Sequence, residues 1–329
     1  MTKKITVIGG SGFIGTNLCR NLSLRKQNFE IIDLKKSKSF PEKSKIADVR
    51  NFKSLLKAIT GDIIVNLAAV HTDNIRDKKA YKETNVGGAQ NIILACTKKN
   101  IRKIVFTSTV AVYGFAKSET GENGEIAPFN DYGKTKFEAE QKFIDWQNKT
   151  KNSLIIIRPT AIFGEGNRGN VFNLFNQIAL KKFLMIGKGQ NVKSLAYIKN
   201  VVAFLEACIL TDQKFGVYNY IDTPNLTMNE LIKFVYLQIH GNVNIGPRIP
   251  LWAGILLGYT ADLISKIFNK NLPLSSIRVK KFISTTEFTS NKSNLDDFKA
   301  PFTLLQGLTN TLQSEFICPK PQKEIFFTE

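Results

Sequence analysis

Short apolar runs and helix-length segments alternate along the first half of the chain. Residues 5–8, 29–32, 62–66, 103–107 and 154–157 are compact apolar stretches, and a shorter one precedes Asp48. They have the length and near-continuous apolarity of strands covered on both faces. Between them, residues 16–26, 52–59, 80–99 and 132–149 carry helical spacing. Regular alternation of strand and helix requires an α/β fold with a doubly wound, mainly parallel sheet, whose ligand cleft lies at the carboxyl ends of the strands. Beyond residue 162 the alternation breaks down. This predicts a cofactor-binding unit over 1–162 and a smaller, partly interleaved mixed α/β substrate domain over 163–329.

One apolar stretch differs from the rest. Residues 249–268 are interrupted by Asp262 and Lys266 after about a dozen apolar positions, too few to cross a bilayer. Trp252, Ile255, Leu256, Tyr259, Leu263 and Ile267 recur at helical spacing, and Lys266, Lys270, Arg278, Lys280 and Lys281 lie within or just past them. The pattern suits a helix lying in an anionic membrane interface or one packed on the substrate domain.

Composition narrows the partners. The formal net charge is +19, from 46 Lys and Arg against 27 Asp and Glu, which asks for an anionic partner or reflects a lysine-rich surface. The basic residues are dispersed and form no nucleic-acid-binding signature, so no nucleic acid is expected. Cys19, Cys96, Cys208 and Cys318 are far apart, and His71 and His240 are the two histidines. No metal site, disulfide framework or histidine triad is expected from that inventory. The N-terminus enters an apolar strand directly after Lys3 and Lys4 without a signal-peptide pattern, so a cytoplasmic location is expected.

Candidate chemistry gathers at the predicted strand ends. Gly9, Gly12 and Gly15 form G-x-x-G-x-x-G between the first strand and first helix. Glycines permit a tight turn and close approach of a pyrophosphate at the helix N-terminus, so Gly9, Gly12, Phe13, Ile14 and Gly15 are candidate dinucleotide contacts. Asp33 ends the second strand eighteen residues after Gly15, where a carboxylate binds ribose hydroxyls and favours NAD. Lys35 and Lys36 keep NADP as the alternative. Asp48 and Val49 suit an adenine edge, with Asp48 alternatively a helix cap. Leu67, Ala68 and Ala69 form a small-residue turn, Asn85 is a cofactor contact, a buried hydrogen-bonding group or a polar face residue, and Pro159 belongs to the turn Arg158-Pro159-Thr160. Tyr132 and Lys136 share one helix face. A phenol of pKa about 10 needs a nearby cation to act as a base near neutrality. The Ser108 and Thr109 hydroxyls sit at the end of the fifth strand, as catalytic groups or turn caps.

Taken in order, the glycine turn, Asp33, Asp48, Leu67-Ala68-Ala69, Thr109 with Val112-Tyr113-Gly114, Tyr132/Lys136 and Arg158-Pro159-Thr160 resemble the extended short-chain dehydrogenase/reductase family over residues 3 to about 235. The resemblance implies a Rossmann domain, NAD, a Thr109–Tyr132–Lys136 catalytic group and, by default, a homodimer. Ile8 stands where many members have threonine, which leaves the glycine geometry intact. Sugar-nucleotide dehydratases of the family place Asp-Glu after the catalytic threonine, whereas this chain has Val110-Ala111. Neither can transfer a proton, which leaves a 4-epimerase or a reductase.

The run from Arg158 to Glu165, Asn167 to Val171, Lys193 to Tyr197, Ser275 to Phe282 and Leu305 to Leu308 is similar to a subgroup of enterobacterial enzymes. These epimerise N-acetylglucosamine on undecaprenyl diphosphate at the membrane during O-antigen assembly. That resemblance implies a diphosphate-linked sugar substrate, a cytoplasmic membrane surface as partner, and Arg168, Asn170 and Lys193, with Thr109, as substrate contacts. Alternatives are a soluble UDP-hexose 4-epimerase, a 4-keto sugar reductase, and a non-enzymatic dinucleotide sensor; sensors often lack the tyrosine or lysine that this chain keeps.

Overall fold

The structure, a computed structural model, describes residues 3–71, 77–268, 275–319 and 324–328. The main sheet contains β1 (Ile5–Ile8), β2 (Phe29–Asp33), β3 (Ser44–Ile46), β4 (Ile63–Asn66), β5 (Lys103–Thr107) and β6 (Ser153–Pro159). Its order is β3-β2-β1-β4-β5-β6, with a seventh strand beside β6, and every neighbouring pair is parallel. Side chains alternate across such a sheet. Val7, Ile31, Val65, Val105 and Ile155 therefore enter one core, and Ile8, Ile32, Ile64, Phe106 and Ile156 the other. Burial on both faces explains why these strands are apolar throughout rather than alternating.

The helices α1 (Phe13–Leu24), α2 (Phe52–Ala58), α3 (Lys79–Tyr81), α4 (Gly88–Lys99) and α5 (Asp131–Thr150) connect these strands. α1 begins at Phe13, three residues before its expected start, because Gly12 is already its N-cap. α2 is capped by Asn51, whose side chain accepts from Ser54 N, so Asp48 is not the cap. The expected uninterrupted helix over 80–99 instead contains a π turn, Lys82–Gly87, between α3 and α4. Such wide turns recur at functional sites.

The break in alternation expected after residue 162 is seen in consecutive strands and consecutive helices, but it is not complete. The segment forms β7 (Ala161–Phe163), β8 (Asn167–Arg168), α6 (Asn170–Ala179), β9 (Met185–Ile186), β10 (Val192–Tyr197), α7 (Ile198–Leu210) and β11 (Phe215–Tyr220). β10, α7 and β11 are again strand, helix, strand, and β11 is the seventh strand of the main sheet, in parallel register with β6 from Phe215↔Leu154 to Tyr220↔Pro159. α7 buries Val201, Leu205 and Ile209 in the same core as Leu18, Cys19 and Leu22 of α1. The apolar content of α7 is what returns the chain to the sheet.

The remaining elements are β12 (Asp222–Thr227), α8 (Met228–His240), β13 (Arg248–Ile249), α9 (Leu251–Phe268), α10 (Ser276–Ile283), α11 (Leu304–Leu312) and β14 (Phe326–Phe327). A three-stranded sheet runs β12-β10-β7, and two short pairs join β13 to β9 and β14 to β8. α9 turns its small residues inward: Gly254 lies against Ile186, Gly258 against Ser276, and Ala261 is buried. Its large apolar residues face outward, with Trp252 69% and Leu263 60% exposed. Asp262 accepts the Ser276 N–H at 3.2 Å and so ties α9 to the first turn of α10. Lys270 lies outside the described residues.

Candidate active site

At the carboxyl end of β1 the glycine turn is shaped by close packing. Gly9 has φ +80°, and a Cβ there would stand 2.7 Å from Ala68 N. A Cβ on Gly15 would stand 2.5 Å from Gly10 Cα. α1 therefore starts hard against β1, and Gly12 caps it without a side-chain hydrogen bond. Open N–H groups at a helix N-terminus suit a pyrophosphate. Asp33 is held toward this turn, its carboxylate accepting from Ser11 N at 2.9 Å and from Leu34 N at 2.7 Å. These residues fit the dinucleotide that the sequence motif implies.

The adenine-side candidates are more engaged. Asp48 forms an ion pair with Arg50 at 2.6 Å, and the Arg50 hydrogen bonds hold its carboxyl below the usual range. Val49 is buried against Gly88, and its carbonyl accepts from Asn91 at 2.8 Å. Leu67, Ala68 and Ala69 follow β4 and are half-buried. Asn85 is buried; its amide accepts from Val70 N at 2.9 Å and donates to Val70 O at 3.1 Å and to Thr135 Oγ1 at 3.0 Å. Three of the four bonds available to an amide are thus made within the protein. The π turn aims this amide, so Asn85 braces the turn after β4 and the first turns of α5.

α5 carries Tyr132 and Lys136. Its N-cap, Asn130, accepts from Gly133 N at 2.9 Å. Gly133 is required because a Cβ there would lie 2.5 Å from Ala111 O, so α5 packs directly on the segment after β5. Tyr132 is half-buried, while Lys136 is fully enclosed. Its Nζ donates to Thr107 O at 2.6 Å and lies 4.3 Å from the Phe106 ring centre. Burial pushes the ammonium down to about 7, opposed by Glu140 one turn further on. Thr109 accepts from Ala111 N at 3.1 Å and caps the short 3-10 turn Val110–Tyr113. Val110 and Ala111, the positions lacking an acid, lie in that turn. Pro159 ends β6 and is buried.

Behind α5 lies a polar network that the sequence reading does not anticipate. Glu140 receives two hydrogen bonds from Arg158, at 3.0 and 2.6 Å, with both groups buried. Arg158 also donates to Tyr113 Oη at 2.6 Å, and Tyr113 donates to Asn219 at 2.8 Å. The sequence places Arg158 only at a cleft-edge turn. A charge inside a buried strand requires a partner, and that is the available signal. Glu140 is four positions after Lys136 and lies on the same face of α5.

The substrate-side candidates differ in what they touch. Arg168 pairs with Glu315 at 2.8 Å and lies 4.0 Å over the Phe172 ring. Asn170 is exposed at the start of α6. Lys193 donates to Lys281 O at 2.8 Å and Ser284 O at 2.7 Å, satisfying carbonyls at the end of α10. Arg168 and Lys193, the two cations expected to face a diphosphate, are each bonded to a distant part of the chain. Sequence spacing cannot show such long-range partners.

A family model for the NAD dependent epimerase/dehydratase family matches residues 5–220. The chain belongs to that family. Among curated relatives, N-acetyl-alpha-D-glucosaminyl-diphospho-ditrans,octacis-undecaprenol 4-epimerase of Escherichia coli O157:H7 is 43% identical over 100% of both chains. Among solved structures, UDP-N-acetylglucosamine 4-epimerase from Bacillus cereus has a TM-score of 0.74 at 17% identity, covering 94% of this chain and 98% of that one. UDP-glucose 4-epimerase of Thermus thermophilus in complex with NAD has a TM-score of 0.73 at 18% identity, covering 96% and 100%. At these identities the two structures establish the shared fold. The family's cofactor is NAD, in agreement with Asp33 at the end of β2.

Proposed function

We propose that the protein is an NAD-dependent 4-epimerase of an N-acetylhexosamine carried on undecaprenyl diphosphate, acting in O-antigen or related surface polysaccharide assembly. The observation that carries the reading is the full-length relationship to the Escherichia coli O157:H7 enzyme. Tyr132 removes the proton of the sugar 4-hydroxyl, directly or through Thr109. NAD held by the Gly9–Gly15 turn and Asp33 would supply the reversible hydride acceptor that a change of configuration at carbon 4 needs. Lys136 supports the ionised phenol; the Thr107 carbonyl and Glu140 favour its ammonium against burial. Val110 and Ala111 offer no proton to a leaving hydroxyl, so the ketone stage is not diverted into elimination.

The same reading favours work at a membrane surface. Among the described residues no helix is long and apolar enough to cross a membrane. α9 nonetheless exposes Trp252, Leu256, Tyr259 and Leu263 along one stripe, with Lys266, Arg278 and Lys280 exposed on it and on α10. Apolar side chains flanked by cations suit the interface of an anionic bilayer. The deciding experiment offers purified protein, with NAD, either UDP-N-acetylglucosamine or undecaprenyl-diphospho-N-acetylglucosamine, and identifies the sugar released by mild acid. Formation of N-acetylgalactosamine on the lipid is expected. Turnover of the nucleotide sugar alone would overturn the assignment.

A further inference from the structure

Two exposed aromatic rings stand beside the catalytic segments. Phe115 is 50% and Phe129 37% exposed, and they stack with centres 4.4 Å apart and planes 18° apart. Phe115 follows Gly114, which ends the Thr109 segment with φ +67° where a Cβ would collide with the Ala127 carbonyl. Phe129 precedes Asn130, the cap of α5, and Tyr132 is three positions on, a reach of at most roughly 11 Å. The base of the intervening loop is closed by Ala127 N donating to Val112 O at 3.1 Å. The stack therefore joins the two segments that supply Thr109 and Tyr132.

From this stack a line of contacts leads to α9. Lys281 Nζ lies 5.6 Å over Phe129, and on the preceding position of α10 Lys280 Nζ lies 5.6 Å over Tyr259. Ile277, one turn earlier on α10, is 41% exposed. On α9 Tyr259 is in step with Leu256 and Leu263, three and four residues away, and all three are exposed. Water-exposed aromatic and aliphatic side chains thus run from the neighbourhood of Tyr132 to the outer face of α9, with two ammonium groups along the way. An apolar chain attached to an anion matches that sequence of groups.

We infer that the Phe115–Phe129 stack receives the first isoprene units of the carrier, that Lys281 neighbours its diphosphate, and that α10 and the Tyr259 stripe of α9 conduct the remaining lipid outward. This rests on the lipid-linked substrate reading and adds the residues that select the carrier. The stack would then discriminate between a polyprenyl and a nucleoside substituent on the same diphosphate-linked sugar, because a nucleoside offers no long apolar tail to cover it.

The test compares kcat/KM for diphospho-N-acetylglucosamine bearing one or four isoprene units, in wild type, F115S/F129S and F115L/F129L. Wild type should prefer the longer carrier by at least about tenfold, as burial of the added apolar surface demands. The serine pair should lower that ratio by at least about threefold while the α10 and α9 contacts of the longer chain remain, and the leucine pair should restore most of it. A general loss of folding lowers both substrates together and leaves the ratio intact; an unchanged ratio in the serine pair overturns the inference while the substrate reading stands. A leucine pair as indifferent as the serine pair counts against it equally. Turnover of UDP-N-acetylglucosamine with none of either prenyl-linked sugar sinks the substrate reading itself, and the inference with it.

Discussion

Tyr132 and Lys136 are recognisable in the sequence because a four-residue spacing on a helix puts two side chains on one face. Tyr132→Phe should lower kcat by roughly 10²–10⁴-fold, the range for removal of a general base, while NAD extracted from the purified protein stays at the wild-type ratio. Near-normal activity would end that assignment. What the spacing could not show is how deeply Lys136 is enclosed. Its ordinary value of 10.5 falls to about 7 through burial. Between those values the unfolded chain binds a proton that the folded chain does not, so stability should rise with pH from about 7 to 10.5. Below that window both states are protonated and the burial cost is present in full. Lys193, pushed to about 8 by burial, contributes with the same sign. Comparing cofactor-free wild type with Lys136→Met isolates the Lys136 share: the variant's stability should respond less to pH between about 7 and 10.5. An equal pH response in the two proteins would contradict it.

Elements are held in place by polar partners that sit far apart in the sequence. α5 is joined to β6 through Glu140 and Arg158. Removing one partner leaves the other charged and buried, so Glu140→Ala should cost about 3–5 kcal/mol in a denaturant titration. Replacing both by apolar residues should cost less than the sum of the single changes, and additive losses would argue against direct coupling. The end of α10 depends on Lys193 in a comparable way. Lys193→Met removes one donor each from the Lys281 and Ser284 carbonyls, which keep Ser284 Oγ at 3.1 Å and Asn191 Nδ2 at 3.4 Å, and should cost about 0.5–1.5 kcal/mol. A stability effect with little change in KM would mark Lys193 as a cap; a large rise in KM at unchanged stability would restore the diphosphate role that its sequence position suggests. Asn85 illustrates the same limit: its residue type suggests a contact, but the π turn decides which groups it meets.

At the scale of the whole molecule, charge and shape combine on the α9–α10 face. Wild-type protein should sediment with vesicles containing anionic lipid, and added salt should weaken the association. Leu256→Glu with Leu263→Glu should reduce binding by at least about tenfold with an unchanged circular dichroism spectrum, since both side chains are exposed. Equal sedimentation of the variant would remove α9 from the interface. The sequence alone determined the parallel sheet, the glycine turn, Asp33 and the Tyr132/Lys136 pair, because each rests on local periodicity or fixed spacing along one element. Only the tertiary structure decided that β11 returns from the second half to close the sheet, that Arg158 meets Glu140, that Arg168 and Lys193 are already bonded elsewhere, and that α9 turns glycines inward and large side chains outward. Those outcomes depend on which distant surfaces meet, and on the need of every buried charge and carbonyl for a partner.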